Sequence, residues 1–185
     1  MARFPVAYVG QPITADFWNS SRPDWYVKGT ATVIASDNTL NDDPELAGIA
    51  LAVGTYYVRG RYFTQLGTAN TPGVDIRIAW TFSGTATGAR MTMGMDTGVG
   101  VNQYFNGAHV NTTSIRSLIR MASTSAFTSS ITYGLNDNFG QQILEDGVLT
   151  VTAPGNLTLQ WCQDVSSAVT LQLNSGSYLA IDQIG

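Results

Sequence analysis

One cysteine, one lysine and one histidine occur in 185 residues. Cys162 alone excludes an internal disulfide and any cysteine-based zinc site, both of which need several thiols. Charge is scarce: 12% of residues are Asp, Glu, Lys or Arg, against roughly 25% in soluble domains. The net charge is −4 and the isoelectric point about 4.7. Neutralising nucleic-acid phosphates takes clustered Lys and Arg. Here Lys28 is the only lysine, the arginines are scattered, and Arg59 and Arg61 are the nearest basic pair. No nucleic-acid partner is expected. No stretch approaches the ~18 uninterrupted apolar residues of a membrane span, so no membrane partner is expected either. The first ten residues lack the charged-then-apolar layout of a signal peptide.

The missing charge is replaced by uncharged polar residues and glycine, with 22 Thr, 14 Ser and 19 Gly. Hydrophobic residues stand at 44%, which excludes disorder, because disordered chains combine low hydrophobicity with high charge. The length fits one domain, or one domain with a short appendage. From Lys28 onward the pattern is β. Val74, Ile76, Ile78, Trp80 and Phe82 alternate with Asp75, Arg77, Ala79 and Thr81, the clearest two-residue period in the chain. Residues 55–66 are rich in aromatic and β-branched side chains. Leu157, Leu159 and Trp161 share one face of a further strand, as do Val169, Leu171 and Leu173. Further strands are expected over residues 114–121, 127–133, 148–152 and 178–184. Gly84 to Gly88 reads as a break, and Asn70-Thr71-Pro72-Gly73 as a turn in which Pro fixes φ and Gly permits a positive one. Short strands with recurring turn signals and no long amphipathic helix predict an all-β, jelly-roll-like antiparallel β-sandwich over residues 28–185.

Residues 1–27 differ from the rest. Pro5, Pro12 and Pro23 punctuate a run holding Phe4, Tyr8, Phe17, Trp18, Trp25 and Tyr26, and Thr14 is placed to cap a short helix over 15–20. This composition predicts an extended N-terminal arm. An arm recovers its ordering entropy by burying area on a partner, and aromatics bury the most per residue. The six aromatics are therefore candidate partner-docking residues, the alternative being an arm that covers one end of its own sandwich.

Chemistry-bearing residues are sparse, and no catalytic, cofactor-binding or metal site is expected. His109 lies in Asn106-Gly107-Ala108-His109 without a G-x-S-x-G elbow to serve. Only a threefold assembly would gather enough copies of it to hold a metal. Asp42, Asp43 and Glu45 meet part of a calcium-loop pattern and read as a solvated acidic turn. Glu145 and Asp146, before Gly147, read as a hairpin turn. Met91, Met93 and Met95 at strand spacing read as one strand face of adaptable apolar side chains in preference to a soft-metal site.

Three segments carry a resemblance. Gly155-Asn156-Leu157-Thr158-Leu159-Gln160-Trp161-Cys162-Gln163, followed by Ser166-Ser167-Ala168-Val169-Thr170 and Gly176-Ser177-Tyr178-Leu179, resembles the closing series of small virion proteins of actinobacterial tailed phages, with Cys162 where Ala is usual. Asp75 to Gly88 is similar to their central strand and loop, with Ser83 where Pro is common, and Gly10-Gln11-Pro12-Ile13-Thr14-Ala15-Asp16-Phe17-Trp18-Asn19 to their lead-in. The resemblance covers about half the chain. It implies a jelly roll of the tumour-necrosis-factor and C1q type, a homo-oligomer that is commonly trimeric, and assembly into a virion in the host cytoplasm. The implied role is a capsid decoration protein on the major capsid protein, or a minor tail or fibre protein, with no catalytic residues to transfer. The absence of a coiled-coil or repeat shaft favours decoration. Jelly rolls also serve as lectins, so a carbohydrate- or receptor-binding module that meets host glycan, with Tyr104 and Phe105 stacking on sugar, is the second expectation.

Overall fold

The computed structural model describes residues 9, 10, 12, 14, 22–67, 74–95, 119–124, 126–135 and 141–185. These form thirteen strands and no helix: β1 (Asp24–Val27), β2 (Thr32–Ile34), β3 (Asn41–Asp42), β4 (Ile49–Leu51), β5 (Gly54–Leu66), β6 (Ile76–Phe82), β7 (Thr85–Met95), β8 (Ile119–Thr124), β9 (Ile131–Tyr133), β10 (Gln141–Ala153), β11 (Gly155–Gln163), β12 (Leu171–Leu173) and β13 (Tyr178–Gln183). The large sheet has eight strands in the order β1-β13-β5-β10-β7-β8, with β12 and β2 extending it beside β5. The small sheet has five, β3-β11-β6-β9 with β4 also on β11. Every pairing is antiparallel. The expected β-sandwich of jelly-roll-like character is the fold observed.

Alternation places the core between the layers. The small sheet sends in Ile76, Ile78 and Trp80 from β6, with Leu157, Leu159 and Trp161 from β11. The large sheet answers with Tyr56, Val58, Tyr62 and Leu66 of β5, Leu149 and Val151 of β10, and Leu179 and Ile181 of β13. A fully buried Leu, Ile or Val side chain contributes about 1.5–3 kcal/mol, so these rows hold the sandwich closed.

Two of the corners at which the chain changes layer are adjacent. β6 passes to β7 through Ser83 and Gly84, and β10 to β11 through Pro154 alone. The corners touch: a Cβ added to Gly155 would lie 2.2 Å from the Gly84 nitrogen. Glycine is required here by backbone-to-backbone approach. β10 also shifts register against β7 between Val151 and Ala153, a bulge that bends it into its corner.

Several local expectations are corrected. The break expected over Gly84 to Gly88 is confined to Ser83 and Gly84, and β7 runs straight through Gly88. Glu145, Asp146 and Gly147 are not a hairpin turn but the middle of the thirteen-residue β10, paired on both sides. The strand expected over 127–133 shrinks to β9, because the Phe127 N–H turns back to the Gly88 carbonyl. The helix expected over 15–20 lies outside the described residues, as do residues 114–118.

Candidate interaction surface

Of the six candidate docking residues, Phe4, Tyr8, Phe17 and Trp18 lie outside the described residues, as do Tyr104, Phe105 and His109. Trp25 and Tyr26 stand in β1, which pairs with β13 so that Trp25 faces Ala180 and Tyr26 faces Leu179. Alternation then separates them. Tyr26 turns toward the core and packs against it. Trp25 turns outward, 54% exposed, with its ring 4.9 Å from that of Tyr178.

Directly after β1, the only lysine fastens the two layers. Lys28 and Asp43 are fully buried with Nζ 2.9 Å from Oδ2, and Nζ donates to the Thr32 hydroxyl at 2.7 Å. Asp43 also accepts the backbone N–H groups of Glu45 and Leu46, and Trp161 Nε1–H at 3.1 Å. Glu45 receives the Gly29 and Thr30 N–H groups and the Thr30 hydroxyl. These bonds, the Thr30 hydroxyl first, hold its carboxyl down to about 2. The expected solvated acidic turn is corrected at Asp43, which is buried on Lys28, while Asp42 and Glu45 are exposed; Asp43 and Glu45 together clasp residues 28–30. Their oxygens are committed to that task.

A second polar cluster sits between the layers. Glu145 of β10 is fully buried, its Oε2 3.3 Å from Arg90 Nη1 of β7. Tyr62 and Tyr133 donate their hydroxyls to it, and Trp80 Nε1–H donates to the Tyr62 oxygen at 2.8 Å. Arg90 also donates to the Ser129 carbonyl and lies 5.2 Å over the Trp80 ring. Gly60 makes the cluster fit, since a Cβ there would strike the Tyr62 hydroxyl at 2.2 Å. Burial raises the Glu145 carboxyl above its ordinary value, with the Arg90 charge opposing. Burial likewise pushes both phenols up. The cluster is closed to solvent and offers no reacting group to a substrate.

The same strands show the reverse on their outer side. β7 turns Arg90 and Thr92 inward, so Met91 and Met93 point out, 53% and 37% exposed. Met91 and Met93 share one strand face, and the structure makes it the outer one. Register then assembles the outer face row by row. Met93, Leu144, Arg61, Tyr178 and Val27 lie side by side across β7, β10, β5, β13 and β1. The next row is Met91, Asp146, Arg59, Ala180 and Trp25, and a third holds Val148, Tyr57 and Asp182. Arg59 and Arg61 lie 5.5 Å over the rings of Tyr57 and Phe63, and the Tyr57 hydroxyl donates to Asp146 at 3.2 Å. The result is a broad apolar and aromatic surface with charges of both signs. Sequence reasoning listed Trp25 for it and missed the rest, because membership is set by strand pairing.

One cleft opens at the rim, about 270 Å³ in volume. Its cause is the inward row of β7, where Ala86 and Gly88 leave space that Phe82, Phe127 and Leu149 wall without filling. No charged residue lines it. Among the described residues no group of three or more His, Cys, Asp or Glu is placed to hold a metal ion.

No family model matches the chain, and no curated protein matches it. Among solved structures, a bacterial lipoprotein from Bacteroides thetaiotaomicron aligns over 87% of each chain at 9% identity with a TM-score of 0.20. A superposition that loose carries no argument about fold or function.

Proposed function

We propose that this chain is a non-enzymatic structural protein of a tailed-phage virion, a homo-oligomeric capsid decoration protein on the outer shell. The observation that carries the assembly role is the outer face of the large sheet, where Trp25, Val27, Met91, Met93 and Val148 are all exposed on a domain with 12% charged residues. Exposed apolar side chains clustered on one face mark interaction surfaces, and few charges discourage self-repulsion. The virion and the trimeric state come from the resemblance of the three segments quoted above. Binding to the assembled shell and not to its free subunits stabilises the shell by mass action.

Particle binding tests the reading. Purified full-length chain is mixed with phage capsids lacking it, and the bound copies are counted from reconstructed images. Hundreds of copies on the shell are expected. A few copies at the tail would move the protein to a minor tail or fibre role, and no binding to any part of the particle would overturn the virion reading.

A further inference from the structure

The outer face of the large sheet carries polar atoms that the described residues do not satisfy. Arg61 Nε and Asp182 Oδ1 are buried beneath neighbouring side chains with no hydrogen-bond partner among the described residues. A buried unpaired donor or acceptor is costly, and charge raises the cost. Both atoms belong to the face that exposes Met91, Met93, Val148, Val27 and Trp25. Thr64 Oγ1 and Arg90 Nε on the inner side of the same sheet, and Arg77 Nε on the small sheet, are likewise buried without a partner among the described residues, so what sets the outer face apart is that its two unpaired charged groups lie beside exposed apolar side chains.

We propose that this face is covered by another copy of this chain. Charge argues for that occupant. Arg59 and Arg61 lie among Asp146 and Asp182, two of each sign. A partner presenting one sign would oppose half of them, whereas a second copy brings both signs and can offer a carboxylate to each guanidinium. Area argues the same way. Five strands, β7, β10, β5, β13 and β1, about 4.8 Å apart and roughly nine residues long give a face on the order of 700 Å², near the ~800 Å² per partner of a stable interface. The inference rests on the assembly half of the proposed function and not on the virion half: it assigns this face to self-association and leaves the shell to another surface.

The test uses the full chain in solution. Mass by light scattering is measured for the native protein, for Met91→Glu combined with Val148→Glu, and for Val165→Glu, an equally exposed position off this face. The native chain and Val165→Glu are expected to run as the same oligomer. The double variant is expected to associate at least about 100-fold more weakly while keeping its far-ultraviolet spectrum. Should that variant fail to fold, oxidative footprinting of the native chain decides. Met91 and Met93 oxidise readily when accessible and are expected to be protected in the associated state and reactive on dilution. An oligomer in which both methionines stay reactive, or whose mass the double variant leaves unchanged, overturns the inference. A chain that stays single at high micromolar concentration, with the face protected only on capsids, also overturns it and leaves the virion reading standing. Self-association through this face without any particle binding does the opposite.

Discussion

β5, β10 and β7 lie side by side and show their neighbours two unlike faces. Inward, at the level of Glu145, they place a carboxylate, a guanidinium and a phenol among Trp80, Phe127 and Tyr133. Outward they place Met91, Met93, Leu144 and Val148 near solvent. Simple hydrophobic sorting predicts the reverse. The inner groups are tolerable because nearly every polar atom has a partner, so their desolvation is offset by charge-assisted bonds in a low dielectric. The exceptions are Arg90 Nε and Thr64 Oγ1, which have no partner among the described residues. The outer apolar groups are left exposed by the described residues, so the inner face is closed by its own strands and the outer face is not.

Breaking the inner face has the largest expected effect. Glu145→Ala leaves the Arg90 charge buried and uncompensated and is expected to cost about 3–5 kcal/mol in urea unfolding. Arg90→Met combined with Glu145→Met is expected to lie nearer the native stability than either single change, since a buried pair often gains little over apolar side chains of similar volume. A double variant no better than the sum of the singles would show that the two tyrosines depend on the carboxylate more than the arginine does.

Acidity sharpens the contrast, because the two glutamates titrate in opposite senses. Glu45 has its folded value lowered from 4.5 to about 2. Its contribution is present above pH 4.5 and is lost as pH falls toward 2. Glu145 has its folded value raised by burial. Its contribution is full below the ordinary value and is lost as pH rises through the raised one. Unfolding free energy measured against pH is expected to show a shallower acid-side fall in Glu45→Gln, the rest coming from Asp37, whose carboxyl the Thr39 N–H also holds low, and the full fall is expected to persist in Glu145→Gln.

A smaller effect is expected at the cleft. Ala86→Val adds apolar volume where the layers fail to meet and is expected to stabilise by about 0.5–1 kcal/mol, read as a higher urea midpoint with an unchanged slope. The smallest belongs to the outer face. Met91→Gln is expected to change the stability of the dissociated chain by less than about 0.5 kcal/mol. A larger loss would mean that the outer face contributes to folding as well as to association.

The alternating rows were legible without coordinates. Ile76, Ile78 and Trp80, and Leu157, Leu159 and Trp161, are buried where their period places them, because both rows are apolar on one side and mixed on the other. β5 was legible for the same reason, as was the β class itself. The direction in which Met91 and Met93 point was not legible, and Glu145 and Asp43 were misread. In each case the residues that settle the matter are far away in sequence: Glu145 selects Arg90 as the inward residue of β7, and Lys28 draws Asp43 out of solvent.

Local composition determined that this chain would form strands and that each would have two different faces, since a period of two is a property of neighbours along the backbone. Only the tertiary structure decided which face of β7 and β10 turns inward and which residues share the outer surface. Those choices depend on strand register and on ion pairs between residues distant in the chain, and a periodicity carries information about alternation but none about direction.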